Sequence, residues 1–267
     1  MRQLPNNINL DKKYQRFLSS WETEIQAITP YSRRIKVAKD KWRSRRQSKT
    51  LQHVCLKLEE MCTGNRRCCY CEDSVADEVE HIKPKSIYPE LTFSWDNYLY
   101  ACGPCNGRKN NKYALFIGGV FTPLQPSHSP PSPGDNVFIN PRQDNPMDFL
   151  DLDLGTQIED GTLEYLPKYS LPQGSIDYQR AEYTIRTLGL NRDVLVAGRK
   201  NAALDFKARL YQYEQKKNSF TTQELRQFQA NFQVHPYPSV WQHIKVQHQY
   251  LLEINSFFQR FPEIQNW

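Results

Sequence analysis

Apolar side chains in the first sixty residues return at three- and four-residue steps. Leu10, Tyr14, Phe17, Leu18, Trp21, Ile25 and Ile28 form one such stripe, which predicts an amphipathic helix laid on a core. Pro30 ends or kinks it, because proline lacks the N–H that a helix ladder needs. Ile35, Ala38 and Trp42 mark the apolar side of a second helix. Leu51, Val54, Cys55, Leu58, Met61 and Cys62 mark a third that stops near Gly64. Cys55 and Cys62 lie seven apart on one helical face and read as core residues.

The helical period breaks at Arg66. Residues 68–112 carry two cysteine pairs, a histidine and several asparagines, and residues 122–136 hold Pro123, Pro126, Pro130, Pro131 and Pro133, the composition of a loop. Val137-Phe138-Ile139 reads as a short strand, and Leu163 to Leu166 as a hairpin. From about Ser175 helical spacing resumes, interrupted near Asn191 and Asn218 and by Pro236 and Pro238. The last stripe, Trp241 to Phe261, is apolar enough for a core or a partner interface, and core is the better reading because packed helices need such stripes. The expected fold class is α+β: a mainly helical protein with a cysteine-rich core and short strands embedded in it. The expected regions are 1–65 (helical, basic), 66–115 (zinc-binding core), 116–172 (proline-rich loop and small β region) and 173–267 (helical).

Composition is that of an ordinary globular protein, 39% hydrophobic and 24% charged, with a mean hydropathy of −0.74. No stretch approaches the ~18 uncharged apolar residues of a membrane span, and residues 1–7 lead into no apolar signal core, so the expected location is the cytoplasm, away from the membrane. Charge changes the picture more. The net charge is +6, but residues 33–49 contain nine Lys or Arg against the single acid Asp40 and carry +8, so the remainder sums to −2. This basic helix, with Trp42 among its cations, suits a phosphate-tracking role, with Arg43, Arg45 and Arg46 as candidate contacts.

Seven cysteines in a reducing compartment favour metal over disulfides. Cys68 with Cys71, and Cys102 with Cys105, form two CxxC pairs about thirty residues apart, the spacing of a four-cysteine zinc site. Cys69 with Cys71 is a second way to draw the first pair, at a poorer spacing.

Between the pairs stand Glu80-His81, then Asn97, and Asn106 follows the second pair directly. This order over about 45 residues resembles the HNH endonucleases, with Glu where Asp is commoner before the histidine and Asn where His is commoner at the end, an HNN variant. The resemblance implies an embedded zinc-stapled ββα core, and phosphodiester hydrolysis with His81 as general base, Glu80 and Asn106 as ligands of a catalytic Mg²⁺ or Mn²⁺, and Asn97 holding the active-site loop. The chemistry suits these residue types. A neutral imidazole can accept a proton near pH 7, which predicts activity falling in acid, and a hard divalent cation takes oxygen ligands. Arg108 and Lys109 are expected in the first turn of the following helix, facing substrate phosphate.

Phe138-Ile139-Asn140-Pro141-Arg142, Asp144-Asn145-Pro146 and Thr184 to Arg192 extend the likeness to the PtuB-type branch of anti-phage defence, found in Septu and certain retron systems. That resemblance implies a nuclease effector with an ATPase partner. Two other functions fit the same residues: a zinc-stapled nucleic-acid-binding module without catalysis, and a nuclease specific for RNA such as tRNA.

Overall fold

The computed structural model describes residues 1–267. The N-terminal stripes form α1 (Lys12–Gln26), α2 (Tyr31–Arg45) and α3 (Lys49–Glu59). Ser48 starts α3, its hydroxyl accepting from the Leu51 N–H at 3.3 Å and so satisfying one orphan donor of the first turn. Next come β1 (Glu78–His81), β2 (Tyr98–Ala101) and α4 (Gly103–Lys109). β1 and β2 are antiparallel, with Glu78 opposite Ala101 and His81 opposite Tyr98. Cys102 is the residue before α4, so the second CxxC straddles the helix start and the three elements form a ββα unit.

β3 (Ala114–Ile117), β4 (Val120–Pro123) and β5 (Asp135–Asn136) make a small antiparallel sheet with β3 central, and β6 (Leu150–Leu152) pairs with β7 (Tyr165–Pro167). The proline-rich segment is the connection from β4 to β5. α5 (Ile176–Leu188), α6 (Asp193–Lys216), α7 (Thr222–Val234), α8 (Pro238–Gln247) and α9 (Leu252–Arg260) complete the chain. Thr221 and Glu224 close a reciprocal capping box on α7.

The fold is α+β with about half of the chain helical. One continuous apolar cluster runs from Leu18 and Trp21 of α1 through the ββα unit to Phe206, Trp241 and Phe257 of the C-terminal helices. The C-terminal stripe is therefore core in the main, as expected: Trp241, Ile244, Leu251, Ile254, Phe257 and Phe258 are buried, whereas Tyr250 is exposed. Arg199 of α6 is also fully buried. Its guanidinium donates to the carbonyls of Leu163 at 2.7 Å and Leu190 at 2.9 Å, joining α6 to the β6–β7 connection and to the end of α5.

Three local expectations are corrected. Val137 to Ile139 are wholly buried but lie just beyond β5, with Ile139 N–H given to the Thr184 hydroxyl instead of a strand partner. Residues 163–166 are not a hairpin, because Tyr165 pairs with Leu152 across the long 153–164 connection. Cys62 lies past the end of α3, where its sulfur comes within 3.8 Å of Cys69.

Candidate active site and zinc centre

The two CxxC pairs meet. Sγ atoms of Cys68, Cys71, Cys102 and Cys105 all lie within 4.8 Å of one another, and all four residues are buried. The Cys71 and Cys102 sulfurs are 3.8 Å apart. A tetrahedron with Zn–S bonds near 2.3 Å has edges of about 3.8 Å, so the cluster has the dimensions of a zinc site. Without a cation the four sulfurs divide into two that hold their protons and two that lose them. Hydrogen bonds from the neighbouring thiols hold Cys71 and Cys102 low, whereas burial pushes Cys68 up and the contact with Cys102 does the same to Cys105. All four become thiolates together only with a cation between them, the state in which cysteine binds zinc. Cys69 lies outside the cluster, its sulfur turned to Cys62, and Cys68 with Cys71 is the pair placed where it could chelate.

β1 delivers Glu80 and His81 to its own C-terminal end, where a cavity of about 60 Å³ opens. Glu80, His81, Lys85, Asn106, Asn110 and Asn111 line it. Neighbours on a strand point to opposite sides, yet both reach this cavity because it sits where the strand stops. His81 Nε2 lies 2.9 Å from the Thr92 carbonyl. A carbonyl oxygen can only accept, so Nε2 carries the proton and Nδ1 keeps the lone pair in the neutral ring. Burial, with the Lys85 charge nearby, holds His81 well below its ordinary pKa. The onset of protonation therefore moves to lower pH than a free histidine would give.

Asn97 is a brace. Its side-chain oxygen accepts from Lys83 N–H at 2.7 Å, and its amide donates to the carbonyls of Lys83 at 2.9 Å and Leu91 at 3.1 Å. It thereby ties the segment after His81 to the turn that carries Thr92. Asn106 donates its amide to the Glu78 carboxylate at 2.5 Å, which leaves Oδ1 uncommitted. Glu78, two residues ahead of Glu80 on β1, gives no signal beyond a period-two spacing.

Lys109 differs most from expectation. α4 starts at Gly103, so Arg108 and Lys109 sit in its last turn, not its first, and Lys109 is fully buried. Its ammonium lies 2.5 Å from the Glu80 carboxylate and donates to the His81 carbonyl at 2.9 Å. A substrate phosphate cannot reach it, and its charge is spent on holding β1 to α4. Burial still pushes the Glu80 carboxyl upward, with Lys109 opposing the shift. Arg108 is exposed, as a substrate contact requires.

The basic helix reaches His81 through Trp42, whose ring meets the imidazole edge-on at 4.4 Å and lies under the Lys85 ammonium at 5.8 Å. Arg43, Arg45 and Arg46 follow within the next four residues and are exposed; Arg43 is near Asp40 at 3.5 Å, and Arg45 stacks over Trp21 at 5.2 Å. Trp42, Lys85 and the Thr92 carbonyl were not expected as parts of the site. Only Trp42, an aromatic among nine cations, carried a sequence signal.

Residues 68–112 match the HNH endonuclease family. The chain is 44% identical over 62 residues to the Septu protein PtuB of Bacillus thuringiensis, covering 21% of this chain and 23% of that protein. It is 25% identical over 170 residues to the Septu protein PtuB of Bacillus mycoides (strain KBAB4), covering 55% and 50%. The chain thus spans half or less of the length of these curated relatives. No helix is long and apolar enough to cross a membrane. The chain carries an HNH endonuclease domain at residues 68–112 and is similar to the Septu protein PtuB.

Proposed function

We propose that this chain is a metal-dependent endonuclease that hydrolyses phosphodiester bonds in nucleic acid, with DNA the first substrate to test, and that it acts in anti-phage defence beside an ATPase partner. One observation carries the chemistry: His81 spends Nε2 on the Thr92 carbonyl and so offers a lone pair at Nδ1, in a cavity it shares with Glu80 and Asn106. The defence role and the partner rest on the similarity to PtuB.

The oxygen donors fit a hard cation. Asn106 has Oδ1 uncommitted and Glu80 has a carboxylate oxygen beyond the one facing Lys109, the type of ligand that Mg²⁺ or Mn²⁺ takes. When bound there, such a cation supplies charge stabilisation for the phosphorane-like transition state and the departing oxygen. His81 Nδ1 takes a proton from the water whose oxygen bonds to phosphorus, as the phosphorus–oxygen bond to the leaving group breaks. Asn97 and Thr92 keep the ring at that angle. Lys85 adds positive charge at the cavity, which favours an approaching phosphate.

The decisive measurement compares cleavage of DNA and RNA pools by wild type and His81→Ala, with Mg²⁺ or Mn²⁺ and with EDTA. Cleavage that needs both the cation and His81 supports the reading. Absence of cleavage by the wild type, with and without an ATPase partner, supports a non-catalytic binding module instead. The narrowness of the cavity, about 60 Å³, is the observation that keeps this second reading in view.

A further inference from the structure

We infer that the cleft between α4 and α5 holds the sugar-phosphate backbone of the nucleic-acid strand leading away from the His81 cavity; the inference rests on the nuclease reading for which strand is bound, but not for the cleft's charge. This cleft measures about 500 Å³ and shares Asn110 and Asn111 with the smaller cavity, so the two adjoin across these residues. Arg108, Lys112 and Arg186 line it, all exposed, and no Asp or Glu does. None of the three makes an ion pair in the structure, although Lys, Arg and the N-terminus form fourteen elsewhere. Three unneutralised cations around one groove, with no acid among its lining residues, give it a positive potential that attracts an anion.

The groove is also shaped. Gly189 ends α5 in the left-handed region at φ 60°, and a Cβ there would stand 3.3 Å from the Arg108 guanidinium. The missing side chain lets Arg108 lie against the end of α5, facing the same opening as Arg186. Asn110 bends the chain at φ 42°, a conformation that costs a non-glycine residue energy, and so sets Asn111 and Lys112 on the rim between cavity and cleft. Asn111 accepts from the Ser86 hydroxyl at 2.6 Å through Oδ1, which leaves its amide N–H groups for an incoming oxygen. Amide donors at the rim, followed by cations, make a path of phosphate-binding groups that starts at the proposed reacting centre.

The test uses the full chain with His81→Ala, so that binding is read without cleavage, and labelled single-stranded DNA, duplex DNA and RNA. Fluorescence anisotropy between about 50 and 200 mM NaCl gives affinity and salt slope. Lys112→Gln with Arg186→Gln should weaken binding roughly tenfold and flatten the slope of log K against log salt by about 1.4 to 1.8, the yield of two lost phosphate contacts. Lys200→Gln with Lys216→Gln, exposed on α6, should leave both unchanged. Unchanged affinity and slope in the cleft variant, with His81-dependent cleavage intact in the parent, overturn the cleft alone. Weakened binding in the cleft variant of a protein that never cleaves sustains the cleft and removes the nuclease reading. Competition by polyglutamate as effective as that by unlabelled oligonucleotide would assign the groove to acidic protein and overturn the inference.

Discussion

Trp42 of the basic helix stands edge-on against the His81 imidazole, ring centre to ring centre 4.4 Å, and so covers one side of that ring from an element outside the ββα unit. Trp42 also touches the aromatic rings of Phe93 and Tyr98. Trp42→Ala should therefore loosen α2 and admit water to the imidazole. The expected loss of stability is about 2–3 kcal/mol, below the value for a fully buried Trp because this one is partly exposed. Burial is the main cause of the lowered His81 pKa, so the variant should titrate His81 at higher pH than wild type. Histidine NMR titration reads this directly, and an unmoved His81 resonance would mean that Trp42 does not shield it.

The same burial fixes the pH profile. A base whose pKa is depressed stays neutral to lower pH, so cleavage should persist through mildly acidic conditions and fall only well below the range where a free histidine protonates. This moves the acid limb expected from an unperturbed histidine. A midpoint near the ordinary histidine value of about 6.5 in kcat/KM would show that the group titrating is a solvent-exposed one.

Much of the site was legible because its parts occur at fixed steps: two CxxC pairs, a Glu-His dipeptide and two asparagines keep their chemistry wherever the chain takes them. What a charge faces is not written in its type. Lys109 looks like a phosphate ligand until the start of α4 is placed; Pro104, a residue favoured in the first turn, was the available signal that the helix begins at Gly103 and turns Lys109 inward. The strands between residues 114 and 167 are two to four residues long, too short for a period-two pattern to fix β5 or the β6–β7 pairing. Arg186 lay hidden for another reason: helical spacing gives a face, and only the packing of α5 beside α4 says what that face meets.

The zinc assignment separates cysteines that the sequence leaves ambiguous. Cys68→Ser and Cys105→Ser should each lower bound zinc and melt the ββα unit, because ligand binding is part of its folding free energy. Cys69→Ser should keep full zinc stoichiometry, since its sulfur faces Cys62 at 3.8 Å. Metal analysis of the three purified variants checks this, and loss of zinc in Cys69→Ser would redraw the ligand set.

Glu80 and Lys109 are both buried and 2.5 Å apart, so removing one strands the other's charge. Lys109→Met should cost about 3–5 kcal/mol for that reason. Glu80→Gln with Lys109→Met, which leaves no net charge behind, should recover part of the loss. Urea unfolding of the single and double variants measures the difference. Equal destabilisation in both would place the cost in the lost donation to the His81 carbonyl.

His243 sets an acid limit on stability that is independent of catalysis. It is buried in α8 with its ring 5.8 Å from Tyr165, and burial lowers its pKa to about 3. An unfolded chain restores the ordinary value near 6.5, so the unfolded state binds the proton first. The stabilisation is complete above about pH 6.5 and is lost progressively as pH falls toward 3. His243→Gln, which cannot take up a proton, should lower stability at neutral pH through poorer packing yet show a shallower decline between about pH 6.5 and 4. Urea midpoints across that range give the two slopes; parallel slopes would mean that other groups, such as the buried His81, carry the acid sensitivity.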